Sequence, residues 1–186
     1  DQACAYGDRP ILMIFDGDSL EVIELSISQD IYLVIVDLGA TKDTQLILNT
    51  LNNCYPFAQN SLQQNVQKYL GEISSKITQK AVAALEQGDA QLLGRLMKQA
   101  QAEFDRYLIP ACPSQLTAPI LHKILHYEPI QPYIWGGKGV GSQGDGTAQF
   151  VVRDRESQQR VIDIITQDFP QMHCLELTIN SSKSST

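Results

Sequence analysis

Residues 135–150 read Trp-Gly-Gly-Lys-Gly-Val-Gly-Ser-Gln-Gly-Asp-Gly-Thr-Ala-Gln-Phe and contain six of the chain's twelve glycines. Glycine loses more backbone entropy on folding than any other residue, so this density is expected where the backbone needs positive φ angles or approaches an anion closely. Two interpretations fit the composition. The stretch is either a loop that contacts phosphate or a flexible turn between two strands.

The context of this stretch excludes two common nucleotide-binding motifs. Gly139, Gly141 and Gly144 form a G-x-G-x-x-G pattern, but the dinucleotide motif must open a helix. Here the β-branched and aromatic run at 147–152 predicts a strand instead. No G-x-x-x-x-G-K-[ST] occurs in the sequence, which excludes the usual NTPase phosphate loop as well.

Hydrophobic periodicity predicts strands and helices on both sides of the glycine stretch. Residues 11–15 and 20–25 flank Asp-Gly-Asp-Ser and predict a β-hairpin, and the apolar run 31–36 predicts a strand buried on both faces. Apolar residues at three- and four-residue steps predict a helix from about residue 62 to Gly88 and a second from Asp89 to Pro110. The remaining predicted elements are a helix from residue 114 or 117 with Pro119 in its first turn, strands over 133–135, 147–152 and 174–179, and a helix over 157–168.

Strands and helices are mixed without strict alternation, which favours an α+β fold of mostly antiparallel sheet covered by helices. The sequence has no internal repeat and no interdomain linker. We therefore expect one domain over residues 1–179. The polar residues 180–186 are expected to form a disordered tail.

Composition narrows the class of protein. At 186 residues and 43% hydrophobic content, the chain can bury an adequate core. A net charge of -7 without a basic patch argues against nucleic acid or an anionic membrane as the main partner. No apolar run approaches the ~20 residues of a membrane span. We expect a cytoplasmic protein.

Cysteine and histidine positions do not predict a metal site. The four cysteines are widely spaced and form no C-x-x-C pair, as expected of buried thiols in a reducing compartment. His122 and His126 have the i,i+4 spacing that can bind a metal on one helix face. No H-E-x-x-H pattern and no third ligand accompany them, so surface or boundary positions are expected.

Three segments, taken in order, resemble the C-terminal half of a GHMP kinase, the superfamily of galactokinase, homoserine kinase, mevalonate kinase and phosphomevalonate kinase. Asp1-Gln2 resembles the M-D-Q segment that carries the family's catalytic aspartate. The run Ile31–Asp37 follows it, and Gly136–Gly146 resembles the late G-G-K-x-x-G-x-G-G-G-G loop that precedes a strand. The resemblance implies a ferredoxin-like C-terminal domain, with residues 1–36 packing with an N-terminal domain that is missing here.

The same resemblance implies phosphoryl transfer from ATP, with Mg²⁺, to a hydroxyl of a sugar or sugar-like substrate. It assigns the catalytic carboxylate to Asp1 and places Thr41 and Lys42 at the acceptor pocket, although an ordinary polar turn fits these two residues equally well. Arg9, close to the Asp1 segment, has the donors to hold an anionic or polyol group, and a role in capping the hairpin is the alternative. The resemblance also implies that ATP and Mg²⁺ are held by the complete enzyme, that this chain alone is inactive, and that a homodimer is possible. The residues it assigns to the phosphate loop are Gly137, Lys138, Gly139, Gly141, Ser142, Gly144 and Gly146.

Two departures from the family pattern leave a second hypothesis open. Gln143 and Asp145 stand where the family has glycines, and a carboxylate at 145 would disfavour a nearby triphosphate unless Lys138 or a metal offsets it. A surface pair between Lys138 and Asp145 is the plainer expectation. The family's P-x-x-x-G-L-x-S-S phosphate loop is also absent. The alternative is a non-catalytic α+β module that binds a ligand or a subunit.

Overall fold

The computed structural model describes residues 9–182, which form six strands and seven α-helices in the described range. The strands are β1 (Ile11–Asp16), β2 (Ser19–Glu24), β3 (Ile31–Asp37), β4 (Ile134–Gly139), β5 (Thr147–Val152) and β6 (His173–Ile179). The helices are α1 (Thr44–Asn52), α2 (Ser61–Lys68), α3 (Ser74–Glu86), α4 (Ala90–Leu108), α5 (Pro113–Leu116), α6 (Pro119–Leu125) and α7 (Arg155–Asp168). A π-helical turn (Tyr69–Ile73) joins α2 to α3, and 3₁₀ turns follow α4 (Ile109–Ala111) and precede β4 (Glu128–Tyr133).

The strands form two separate antiparallel sheets. Strands β1 and β2 pair as the predicted hairpin. The other four have the order β4-β5-β3-β6, and each neighbouring pair is antiparallel. From β3 onward the chain runs strand, helices, two strands, helix, strand, which is the ferredoxin-like connection that the resemblance implied. The predicted α+β class with a mostly antiparallel sheet is confirmed.

Helices cover both faces of the four-stranded sheet, because alternate residues of its strands point to opposite sides. Val34, Phe150 and Val152 face α6 and α7 in one buried cluster. Leu33 and Val151 face α3 and α4 in another. A third cluster joins α1, α2 and the end of α4 around residues such as Ile47, Val66 and Leu108. Strand β3 is thus buried on both faces, as the sequence predicted.

Side-chain caps explain where the helices begin. The carboxylate of Asp89 accepts a hydrogen bond from the backbone N–H of Leu92 and starts α4, as predicted. Asn60 caps α2 through the N–H of Gln63, and Asp154 caps α7 through the N–H of Ser157. Gly88 follows α3 with φ +67°, the left-handed conformation that glycine adopts readily at a helix end.

Four boundaries differ from the sequence predictions. The predicted loop from residue 136 is half strand, because β4 continues to Gly139. The predicted helix over 62–88 contains the π-helical turn, and the helix predicted from residue 114 or 117 is divided into α5 and α6 at Ala118, whose φ is +41°. Helix α1 was not predicted. The tail prediction also begins too early, since Ser181 and Ser182 hydrogen-bond to Asp30 and Ile27.

Within the described range, no helix combines the length and the apolar character needed to cross a bilayer.

Residues 1–36 were expected to pack with an N-terminal domain. Of their described part, β3 belongs to the four-stranded sheet, and the β1–β2 hairpin forms a sheet of its own. The hairpin exposes five apolar side chains, and Phe15, at 71%, is the most accessible of them.

Candidate functional site

The first glycines of the glycine-rich stretch serve packing between β4 and its neighbours. A Cβ added at Gly136 would lie 2.0 Å from the carbonyl oxygen of Gly94 in α4. One added at Gly137 would lie 2.5 Å from Cδ1 of Phe150 in β5. Real Cβ atoms essentially never approach so closely, so these glycines allow α4 and β5 to approach the β4 backbone. Strand packing was not one of the two interpretations of this stretch; the turn between two strands was, and it follows these glycines at residues 140–146.

The second half of the stretch is a tight turn over residues 140–146 between β4 and β5. Gly141, Gln143 and Gly144 have φ values of +60°, +64° and +71°. Within the described residues, the backbone N–H groups of Gly141, Ser142 and Gly144 donate to no protein acceptor. Successive unpaired N–H groups in left-handed turns form a concave site that suits an anion. The turn can therefore donate hydrogen bonds to phosphate oxygens.

Lys42 lies directly on this turn. A Cβ added at Gly146 would be 2.9 Å from Cε of Lys42, and one added at Gly144 would be 3.3 Å from its Cβ. The ammonium of Lys42 is 3.5 Å from the carbonyl oxygen of Val140, and burial lowers the pKa of this lysine. Thr41 and Lys42 line an open depression with Gln115. The structure thus brings together two of the sequence-predicted groups, the acceptor-side Lys42 and the glycine turn.

Backbone and side-chain contacts fix the turn against its surroundings. The N–H of Leu38, at the end of β3, donates to the carbonyl of Gly146 over 3.0 Å. The side-chain oxygen of Gln115 accepts from the N–H of Asp43 over 2.8 Å, which ties α5 to the Lys42 segment. Sequence reasoning missed Gln115, because a contact between residues 72 positions apart leaves no local pattern.

The two residues that depart from the family pattern have structural contacts. A carboxylate oxygen of Asp145 accepts a hydrogen bond of 2.8 Å from the N–H of Leu121 in α6. Gln143 is 3% exposed, and its Oε1 lies over Gly139 without a hydrogen-bond partner in the described residues. The expected ion pair between Lys138 and Asp145 is not among the ion pairs of residues 9–182. The Asp145 charge is compensated by a backbone donor instead.

Lys138 points to another part of the protein. Its ammonium donates a hydrogen bond of 2.7 Å to the carbonyl of Gly139, and burial lowers its pKa. Its side chain lines a cavity between α3 and α4, whereas Lys42 lines the open depression near Gln115. The two linings share no residue. The two lysines, which the sequence analysis assigned to the phosphate loop and to the acceptor pocket, therefore line different depressions.

A chain of hydrogen bonds connects the strand before the turn to α4 and α6. The N–H of Gly139 donates to Oε1 of Gln101, and the amide of Gln101 donates to Asp105, each over 2.8 Å. The other carboxylate oxygen of Asp105 is 2.9 Å from Nε2 of His122, whose Nδ1 is 2.8 Å from the carbonyl of Ala118. Both ring nitrogens of His122 thus face oxygen atoms, which leaves none for a metal.

The histidine pair is a structural feature in the described chain. The rings of His122 and His126 stack at 6.3 Å, and no group of three or more His, Cys, Asp or Glu in residues 9–182 comes together as a metal site. Burial alone would lower the pKa of His122, but its hydrogen bonds to Asp105 and Ala118 raise it overall. His122 is half-buried and His126 is exposed, so the predicted surface or boundary positions of the two histidines are correct.

One predicted site residue, Arg9, is not joined to this cluster, and another falls outside the part of the chain that the structure describes. Asp1 lies outside the described residues. Arg9 is exposed at the open end of the hairpin, next to Pro10, whose carbonyl accepts from the N–H of Leu25. No hydrogen bond or cavity of the described chain connects Arg9 to Lys42 or the turn.

No family model matches this chain, and no curated protein matches its sequence. Solved structures do match its fold. Mevalonate kinase of L. major, solved with R-mevalonate, is 21% identical with a TM-score of 0.67, over 98% of this chain and 52% of that protein. Lactococcus lactis galactokinase, solved with galactose, is 13% identical with a TM-score of 0.62, over 99% of this chain and 54% of that one.

Homoserine kinase from Cytophaga hutchinsonii gives a third match, with 17% identity and a TM-score of 0.53, over 92% of this chain and 48% of the kinase. The chain thus spans about half the length of each of these proteins. All three are GHMP kinases, and at these identities the likeness establishes the fold. The chain has the α+β fold of the C-terminal domain of the GHMP kinases.

Proposed function

We propose that this chain is the acceptor-side, C-terminal portion of an ATP-dependent kinase that phosphorylates a hydroxyl group of a sugar or sugar-like molecule. One observation carries the proposal: Lys42 lies against Gly144 and Gly146 of a turn with unpaired N–H groups, within a fold shared with small-molecule kinases. Phosphoryl transfer asks a protein mainly for positioning and for compensation of negative charge. A lysine and backbone donors supply both.

The residues of the cluster then have roles, and so do two predicted site residues outside it, Asp1 and Arg9. The N–H groups of Gly141, Ser142 and Gly144 donate to oxygens of the moving phosphoryl group, and Lys42 compensates its charge. Asp1 orients the acceptor hydroxyl and takes its proton as the bond to phosphorus forms. Thr41, next to Lys42 in the same depression, contacts the acceptor. Arg9 contacts a polar group of the acceptor from the hairpin side.

Two groups that the fold family implies, ATP and Mg²⁺, fit this part of the protein only in part. The turn and Lys42 suit the terminal phosphate of ATP. Among residues 9–182, however, no carboxylate or histidine cluster suits a metal ion. We propose that an upstream half supplies the metal and adenine contacts. Packing of that half against the hairpin would cover exposed side chains such as Phe15.

A second candidate function is a non-catalytic module that keeps the kinase fold to bind a ligand or a subunit. The contacts of Gln143 and Asp145 favour it. The Asp145 carboxylate accepts from a backbone donor and the Gln143 side chain is buried, as expected of a turn kept for structural reasons. The kinase proposal is preferred because these contacts leave the N–H groups of Gly141, Ser142 and Gly144 without an acceptor among the described residues.

The test is coupled ADP release by the upstream-extended protein with MgATP, across a panel of monosaccharides and mevalonate. We expect release that depends on a sugar. An Asp1→Asn variant should lose about 100-fold or more of that rate, the usual effect of removing an acid–base group. Mevalonate as the sole active acceptor would overturn the substrate class. No acceptor-dependent release, or release indifferent to Asp1→Asn, would support the non-catalytic module.

A further inference from the structure

A cavity of about 370 Å³ lies between the π-helical turn, α3 and α4, and none of the residues around it lines the depression at Lys42. Most of its wall is apolar and comes from the two helices, including Ile77, Ala81, Leu93, Leu96 and Met97. Its other end is polar, where Lys138, Gln143 and Gln149 meet Gly141. The volume and the mixture of apolar wall with a few polar groups are typical of small-molecule sites.

The polar end carries a positive charge without a counter-ion in the described chain. The ammonium of Lys138 has a hydrogen bond to the carbonyl of Gly139, and none of the ion pairs within residues 9–182 involves it. The nearest acidic residue in sequence, Asp145, is engaged with the N–H of Leu121. A half-buried cation without a carboxylate is costly in free energy, and an anion in the cavity would offset that cost.

A second observation at the same end points to a ligand. Gln143 is 3% exposed, and its Oε1 has no partner in the described residues. Buried polar groups in native proteins nearly always have a hydrogen-bond partner. Because the oxygen and nitrogen of an amide can exchange places by a half-turn of the side-chain end, Gln143 can present either a donor or an acceptor. It can therefore adapt to the head group of a bound molecule.

We infer that this cavity binds a small amphipathic anion, with a phosphate or carboxylate head group at Lys138 and Gln143 and an aliphatic body between α3 and α4. The inference does not rest on the proposed phosphoryl transfer, since Lys138 and Lys42 line different cavities. Because Gly141 belongs both to the cavity wall and to the turn, an occupant of the cavity would also contact the turn that we assign to phosphate.

The test is isothermal titration of the chain with octyl phosphate, without ATP or acceptor and below the concentration at which octyl phosphate forms micelles. Octyl glucoside and inorganic phosphate are titrated in parallel. We expect saturable one-to-one binding of octyl phosphate, with about tenfold or more weaker binding of the neutral detergent and of phosphate alone. Lys138→Met keeps the aliphatic stem and should weaken binding about tenfold or more, because it removes a charge-assisted hydrogen bond.

Two further variants separate a specific site from other effects. Lys80→Met, which removes an exposed lysine of α3 outside the cavity, should bind as the unchanged chain does. Ala81→Phe fills the apolar part and should abolish binding while circular dichroism shows an intact fold. The inference is overturned by an absence of saturable binding, by equal binding of octyl glucoside, or by a folded Lys138→Met variant that binds octyl phosphate unchanged.

Discussion

Glycines at neighbouring positions of the same stretch serve different purposes. Gly136 has no room for a side chain, because the backbone of Gly94 lies against it. Gly141 has a φ of +60°, and a Cβ added there would meet nothing within 4 Å, so its conformation rather than crowding favours glycine. The first kind fixes the distance between α4 and β4, and the second shapes the turn beside the candidate phosphate site.

Replacing Gly136 with alanine is expected to destabilise the protein by about 1–3 kcal/mol, the usual cost of forcing extra atoms into a packed interior. Gly71→Ala is a matched control, since Gly71 is exposed in the π-helical turn and no atom lies within 4 Å of the added carbon. That change should be neutral or stabilise by about 0.4–1 kcal/mol. Urea unfolding gives both values. Equal midpoints for the two variants would contradict the packing role of Gly136.

At this scale the sequence identified residues better than it identified their partners. Lys42, Gly144 and Gly146 were all predicted site residues, and they are in contact. The expected pairing of Lys138 with Asp145 was wrong, because Asp145 accepts from a backbone N–H of α6 instead. A sequence shows which side chains carry charge. It does not show which of several donors the fold brings within reach.

Helix α4 organises the elements around the site. Its Gly94 packs on β4, its Leu93 and Met97 face the cavity, and its Gln101 and Asp105 carry the hydrogen bonds toward α6. The sequence predicted α4 and its cap at Asp89 because the apolar period and the capping signal agree. Helix α1 was missed. Its apolar residues do not mark one helix face, because Ile47 and Leu51 are buried whereas Leu46 and Leu48 are exposed.

The link between α4 and α6 depends on the protonation of His122. Protonated imidazole donates from both nitrogens, which suits Asp105 on one side and the carbonyl of Ala118 on the other. Three further groups of the described chain lie near the His122 ring. They are the backbone of Thr117, the stacked ring of His126, and the side chain of Gln101, which is hydrogen-bonded to Asp105. These surroundings keep the pKa of His122 above its ordinary value.

Stability should consequently fall as the pH rises through the raised pKa of His122. The folded state holds this proton more tightly than the unfolded state, so its contribution is fully present below the ordinary pKa of 6.5 and is lost above the folded pKa. Unfolding free energies from urea titrations between about pH 5.5 and 8.5 measure the effect. His122→Gln should lack this part of the pH dependence. His173→Gln, at an exposed strand start, should keep it. The same slope in both variants would contradict the assignment.

At the scale of the whole molecule, the described chain is a four-stranded sheet between two helical layers, with a hairpin that exposes apolar side chains such as Phe15. The resemblance predicted this class of fold from Asp1-Gln2, the buried strand and the glycine stretch. Periodicity could not predict the strand order, because pairing between distant strands leaves no local signal. Low identity to the solved kinases means that function has to be argued from the site.

The central claim is that Lys42 and the glycine turn handle the transferred phosphate. Its most direct test is kcat/KM for acceptor-dependent ADP release by the upstream-extended protein, compared between Lys42→Met and Lys80→Met. We predict a loss of about 100-fold or more for Lys42→Met, typical of removing a donor to a transition-state oxygen, and no loss for the exposed Lys80. Equal kcat/KM values for the folded Lys42→Met variant and the unchanged protein would contradict the account.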